Sequence, residues 1–319
     1  MAVNCLNSII KSAQVSLFIS ILFVSNITSA YIISFDVGKL TLFRSEASSY
    51  DAKHQKTGDH LIASLQANLS FINAPFLADV SSDSEDDENA RLPSIKYVGL
   101  KLLDYASGTG VISRALMRHC TSAVGIDLSD AMVSEYNKAA SNQGLNDDEM
   151  HAYTGNLIDP NDPSPEAFRG EKFWNFDLAA VGLGFHHFED PVLAAARLVE
   201  RLKKNGILLI IDFLPHQGFG HHHHDHHHGH GEHVHKECGS NSGIKEASTE
   251  SKTEMTDEEA TVAATVHHLG FSEADVERIF VEAGVGKDFA YMVLGKGVVI
   301  GPADRRMKRE VFMARGTKI

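Results

Sequence analysis

Residues 101–132, KLLDYASGTGVISRALMRHCTSAVGIDLSDAM, decide the fold. Lys101–Tyr105 is a short apolar run that closes on an acid, Asp104. Ala106–Gly110 follows as a turn of small residues, a composition that lets a backbone approach a ligand closely. Val111, Ala115 and Leu116 then recur at helical spacing as far as His119, and Ala123–Asp127 returns as a second buried strand that again ends on a carboxylate. Two parallel strands joined by one helix bring both carboxyl ends, with Asp104 and Asp127, to one edge of the sheet. That is the edge where open α/β sheets bind ligands.

Charge separates two readings of the turn. A dinucleotide-binding turn carries G-x-G-x-x-G and faces a pyrophosphate with a helix N-terminus. Here Ser113 stands in place of the third glycine, and Asp104 precedes the turn, where a carboxylate repels a phosphate and attracts an ammonium or sulfonium. A cationic nucleoside is the better ligand. Asp127 at the second strand tip suits its ribose hydroxyls, through charge-assisted hydrogen bonds worth roughly 1.5–3 kcal/mol each.

These residues resemble the first motif of the class I S-adenosylmethionine-dependent methyltransferases, an acid followed by a G-x-G-x-G turn. The match runs through Asp104, Ala106, Gly108 and Gly110, then Asp127-Leu128-Ser129 and Met132. Ala106 stands where the family has its first glycine. The resemblance implies S-adenosylmethionine as cofactor. Asp104, Ala106, Ser107, Gly108 and Gly110 would hold its amino-acid portion, Asp127 its ribose, and Leu128 and Met132 the faces of its adenine.

Further along, Met150–Asn156 reads as a third strand. Asn156 stands where the family usually has an acid, so its side-chain oxygen would accept from the adenine amino group and the backbone N–H of Leu157 would donate to the ring. Phe176–Leu183 is continuous and apolar, as a strand covered on both faces should be, and the family would place Val181 near the sulfonium. The stretch Phe185–Pro191, FHHFEDP, then a helix with Ala194, Leu198 and Leu202, the turn Lys203-Lys204-Asn205-Gly206 and the strand Ile207–Phe213 resemble the same region of ubiquinone-biosynthesis-type methyltransferases. Proline is absent from that turn, which the family writes K-P-G-G.

His186 and His187 follow the fourth strand, where imidazole is suited to taking a proton at neutral pH. Neighbouring residues do not readily face one pocket together. At most one is expected to act as a base, the other donating to a backbone carbonyl.

Composition bounds the rest. The 319 residues, 43% hydrophobic, suffice for one large core with extensions. A formal net charge of −13 disfavours a nucleic-acid backbone or an anionic membrane surface as main partner, and Val181–Gly184 lacks the [DNS]-P-P-[YF] stretch of nucleic-acid methyltransferases. A small organic acceptor is the expectation. Cys5, Cys120 and Cys238 have no metal-ligand spacing and suggest no disulfide framework.

Residues 1–42 form a hydrophobic extension in which 12–35 carries no charged side chain. Behind Lys11 this has the shape of a secretory signal peptide ending near Thr28-Ser29-Ala30, and would send the chain to the secretory pathway or associate it with a membrane. A cofactor made and used mainly inside cells favours the cytoplasm instead. The catalytic domain is expected over 43–319. It opens with Phe43, Ala47 and Tyr50-Asp51, which resemble the F-x-x-x-A-x-x-Y-D lid helix of small-molecule methyltransferases and place Tyr50 at the cofactor; an ordinary amphipathic helix is the alternative. His60–Ile72 carries Leu61, Leu65 and Leu69 on one face.

Residues 215–259 interrupt the domain with a low-complexity insertion whose His221–His235 tract holds 10 of the 19 histidines. It offers metal ions no fixed ligand set. Ser272 and Asp275 then mark a helix start, and Phe289–Leu294 and Val311–Arg315 close the chain in a way similar to the tail of that methyltransferase group. The fold expected is a Rossmann-like, doubly wound α/β domain, its seven-stranded, mostly parallel topology implied by the family. An NAD-dependent oxidoreductase, and a non-catalytic metal-binding or scaffold protein using the histidine tract, are the alternative functions.

Overall fold

The computed structural model describes residues 47–76, 99–216, 265–300 and 307–319. The apolar segment of 12–35, Phe43, the acidic run of 81–89 and nearly all of the insertion lie outside these residues, together with the domain boundaries expected at 42 and 259.

Seven strands form one sheet: β1 (Leu100–Tyr105), β2 (Cys120–Asp127), β3 (Met150–Thr154), β4 (Phe176–Gly182), β5 (Leu202–Phe213), β6 (Lys287–Ile300) and β7 (Met307–Thr317). Their order is β3-β2-β1-β4-β5-β7-β6, and β7 runs antiparallel to both neighbours. The chain moves outward from β1 to β3 and then returns to β4. The reversal puts the switch point, where such sheets take ligands, at the carboxyl ends of β1 and β4.

Both faces are covered, which is why β4 and the second half of β5 are unbroken runs of buried side chains. On one face α1 (residues 47–67), α2 (Leu69–Ile72), α3 (Val111–Leu116) and α4 (Asp130–Asn142) supply Leu61, Leu65, Ile72, Ile112, Leu116 and Tyr136 to the core. On the other, α5 (Pro191–Arg201) and α6 (Glu273–Glu282) supply Leu198, Ile279 and Phe280. Leu65 is fully buried, so truncating it should cost about 2–5 kcal/mol.

The start signals hold. Ser129 Oγ accepts from the Met132 N–H at the head of α4, and Ser272 and Asp275 form a full capping box on α6. Three details depart from expectation. The lid segment and the Leu61/Leu65 helix are one continuous helix. β6 and β7 run several residues beyond the expected ends, with register shifts near Gly295. The turn expected at 203–206 is an irregularity inside β5, where pairing with β4 jumps from Phe176↔Leu202 to Leu178↔Ile207 and Asn205 takes φ 60.

Candidate functional site

Parallel pairing sets Asp104 beside Gly125 and so brings the two acidic strand tips together. Asp104 is 1% exposed, and its Oδ2 accepts from both the N–H (3.1 Å) and the hydroxyl (2.7 Å) of Ser113 on α3. Tyr136 on α4 donates its hydroxyl to Ser113 Oγ at 2.8 Å. Burial pushes the Asp104 carboxyl up to about 7; the Ser113 bonds oppose that rise, Asp127 adds to it and Arg114 subtracts. Asp127 accepts the Gly108 N–H on Oδ2 and the Ser129 N–H on Oδ1, each at 2.8 Å. Burial raises its carboxyl too, against those backbone bonds.

Between the acids the turn is built from left-handed residues: Ala106 at φ 53, Gly108 at φ 51 and Gly110 at φ 86. Gly110 is required twice over, because a Cβ there would also lie 2.6 Å from the Tyr136 ring. A Cβ on Gly108 would meet nothing within 4 Å, so the outer side of the turn is open. Ser107 Oγ is buried without a hydrogen-bond partner at the same turn. Leu128 beside it is 38% exposed, an apolar surface next to two carboxylates. An open turn, two acids and an exposed leucine fit a cationic nucleoside with a flat base.

The expected adenine edge is engaged within the protein. Asn156 Oδ1 accepts from the Tyr105 hydroxyl (3.0 Å) and the Ile158 N–H (2.9 Å), and the Leu157 N–H donates to Tyr105 Oη (3.2 Å). Met132, Leu157 and Val181 are buried in the cores. In this arrangement their side chains are almost wholly covered by the protein itself. Tyr105, which links strand tip to loop, carried no signal in the sequence beyond its place after Asp104.

The first helix reaches the turn through Asp51. Its Oδ1 accepts from Thr109 Oγ1 at 2.5 Å and its Oδ2 pairs with Arg114 at 3.0 Å. Tyr50 lies next to it with its ring 4.5 Å from that of His54. A polar groove of about 450 Å³ opens here between Ala47, Asp51, Thr109, Arg114 and the outer side of α4. None of the expected cofactor residues lines it.

His186 and His187 follow β4 in a short 3₁₀ turn, their rings 4.1 Å apart. Gly184 just before them sits against Ala106, since a Cβ there would come within 3.0 Å of the alanine methyl. The turn and the histidines thus share one edge. Their Nδ1 partners differ. His187 Nδ1 bonds the Thr265 carbonyl at 2.9 Å, whereas His186 Nδ1 meets Asp212 Oδ1 at 2.8 Å. Asp212 was missed in the sequence; it reads there only as the polar end of an apolar strand.

Among the described residues no helix is long and apolar enough to cross a membrane, and no group of three or more His, Cys, Asp or Glu is placed to hold a metal ion. Residues 103–208, which include Asp104, the turn, Asp127 and both histidines, match the family model described as a methyltransferase domain. An uncharacterized methyltransferase of Schizosaccharomyces pombe is 28% identical over 195 residues, 61% of this chain and 58% of that protein. The match therefore spans less than two thirds of the relative. Similar solved structures include a methyltransferase in complex with the Trm112 activator from Haloferax volcanii (14% identity, 86% of this chain and 96% of that one, TM-score 0.49). Another is a SAM dependent methyltransferase from Aquifex aeolicus (16% identity, 69% and 83% coverage, TM-score 0.39).

Proposed function

We propose that this chain, whose residues 103–208 match the family model of a methyltransferase domain, is a class I S-adenosylmethionine-dependent methyltransferase that methylates a small organic acceptor. The cofactor supplies an electrophilic methyl group on a positively charged sulfur. One observation carries the reading: Asp104 and Asp127 stand at adjacent strand tips around a turn whose outer side is open.

The residues divide the work. Asp104 places negative charge behind the turn, where it favours a cationic amino-acid portion. Asp127 still has lone pairs for ribose hydroxyls beyond its bonds to Gly108 and Ser129. Leu128 offers its exposed side chain to one face of the base. Asn156 and Leu157 would reach the edge of the base only if Tyr105 released them. Tyr50, on the helix tied to the turn by Asp51, would serve as part of a lid over the cofactor.

A small acceptor is favoured by charge, since a chain at −13 repels polyanions. Chemistry at the transferred carbon is a single displacement, which holding and aligning the two reactants can largely drive. Incubating the full chain with labelled methyl donor and a cell extract, then identifying the labelled product, tests the proposal. A labelled small molecule supports it; label confined to protein or nucleic acid contradicts it.

A further inference from the structure

We propose that His186 removes a proton from the acceptor, that Asp212 positions it to do so, and hence that the acceptor presents a hydroxyl group. The proposal rests on the methyl-transfer reading above. Asp212 is 0% exposed and grips His186 twice, through Oδ1 to the ring Nδ1 at 2.8 Å and through Oδ2 to the backbone N–H at 3.0 Å. The Phe213 N–H also donates to Oδ1, at 2.7 Å. Burial works against the charge of this carboxylate, yet His186 and the backbone donors outweigh it and hold the group below its ordinary range. An ionised partner at Nδ1 keeps the ring proton there and leaves the lone pair on Nε2.

The rest of the residue is clamped. The His186 carbonyl accepts from the N–H groups of His267 and His268, each at 3.1 Å, and the rings of His187 and Phe213 lie 4.1 and 5.1 Å from its own. Nε2 makes no hydrogen bond among the described residues and is not one of the sealed, unpartnered buried nitrogens, so the 6% of His186 that is exposed includes it. The ring is held by Nδ1 and keeps Nε2 free of hydrogen bonds among the described residues, two residues after Gly184, which packs against Ala106 of the glycine turn.

The class of acceptor follows from the base. A thiol ionises readily near neutral pH, and an amine sheds its proton to water before it attacks. A hydroxyl becomes a good nucleophile only as its proton leaves, so among these it gains most from a base in contact. In the step, the acceptor oxygen bonds to the methyl carbon as the carbon–sulfur bond breaks, with that electron pair going to sulfur. The hydroxyl proton passes to His186 Nε2, and Asp212 balances the imidazolium.

Two measurements on the full chain test this. In the first, the methyl group is located in the labelled extract product, with wild type, His186→Gln and Asp212→Asn compared. The expected product is a methyl ether, formed about 10²-fold more slowly or worse by His186→Gln, which can still bond Asp212 but cannot take a proton. The second needs no acceptor: imidazole ¹⁵N resonances are recorded with and without saturating S-adenosylhomocysteine, His186 being assigned from the same variant. Wild type should show the Nδ1-protonated tautomer and an Nε2 resonance that moves when S-adenosylhomocysteine binds, and Asp212→Asn should lose the tautomer preference. A product methylated on carbon, nitrogen or sulfur, or an Nε2-protonated His186, overturns the proposal while leaving methyl transfer intact. Failure of S-adenosylhomocysteine to bind overturns both.

Discussion

Asp127 Oδ2 accepts the backbone N–H of Gly108 at 2.8 Å, so the tip of β2 holds the turn that follows β1. The same carboxylate therefore shapes the turn and offers acceptors to a ribose. Asp127→Ala should lower affinity for S-adenosylmethionine about 10- to 100-fold, the loss of one charge-assisted hydrogen bond worth roughly 1.5–3 kcal/mol. Calorimetric titration checks this, with circular dichroism to confirm that the variant folds. Asp127→Asn keeps one acceptor oxygen and should lose less.

Asp104 makes stability and binding depend on pH in opposite senses. Its carboxyl is raised to about 7 by burial, well above 3.8, so the folded chain binds more protons than the unfolded chain between those values. Stability from this group is fully present below pH 4 and is lost as pH rises through about 7, a loss on the order of 4 kcal/mol at most. Denaturant unfolding from pH 5 to 8 should show it in the wild type and not in Asp104→Asn. Affinity for a cationic nucleoside should instead rise as pH rises through 7, when the carboxylate gains its charge.

Ala106 sits at φ 53, where a side chain costs roughly 1–2 kcal/mol and glycine costs little. Glycine also loosens the unfolded chain, by about 0.4–1 kcal/mol. The strain is the larger effect. Ala106→Gly should leave stability unchanged or raise it by up to about 1 kcal/mol in urea unfolding.

Tyr136 closes over Gly110 and Gly125 and anchors Ser113. Tyr136→Phe keeps the packing and removes one buried hydrogen bond, for about 1 kcal/mol. Gly110→Ala meets both positive φ and the ring, and should cost more than 2 kcal/mol and weaken cofactor binding as well. Thermal unfolding of the two variants side by side tests the ranking.

What was legible in the sequence was local. Strand, turn and helix over 101–132, the caps at Ser129 and Ser272, and the acidic strand tips follow from periodicity and residue chemistry within a few positions of each other. What was not legible depends on pairs far apart in the chain. Asp212 meets His186 only because β5 lies beside β4, and Asp51 meets Thr109 only because α1 folds back across the turn. Asn156 carried the right chemistry for adenine, but its partner Tyr105, 51 residues away, was invisible. The left-handed backbone of Ala106 was foreshadowed by the glycine that the family has there.

Equilibrium titration of the full chain with S-adenosylmethionine and, separately, with NAD addresses the acid-rimmed turn most directly. Saturable binding of S-adenosylmethionine, at least tenfold tighter than NAD and weakened by Asp127→Ala, is the predicted result. NAD binding as tightly as S-adenosylmethionine, or a folded Asp127→Ala chain with undiminished affinity, would contradict it.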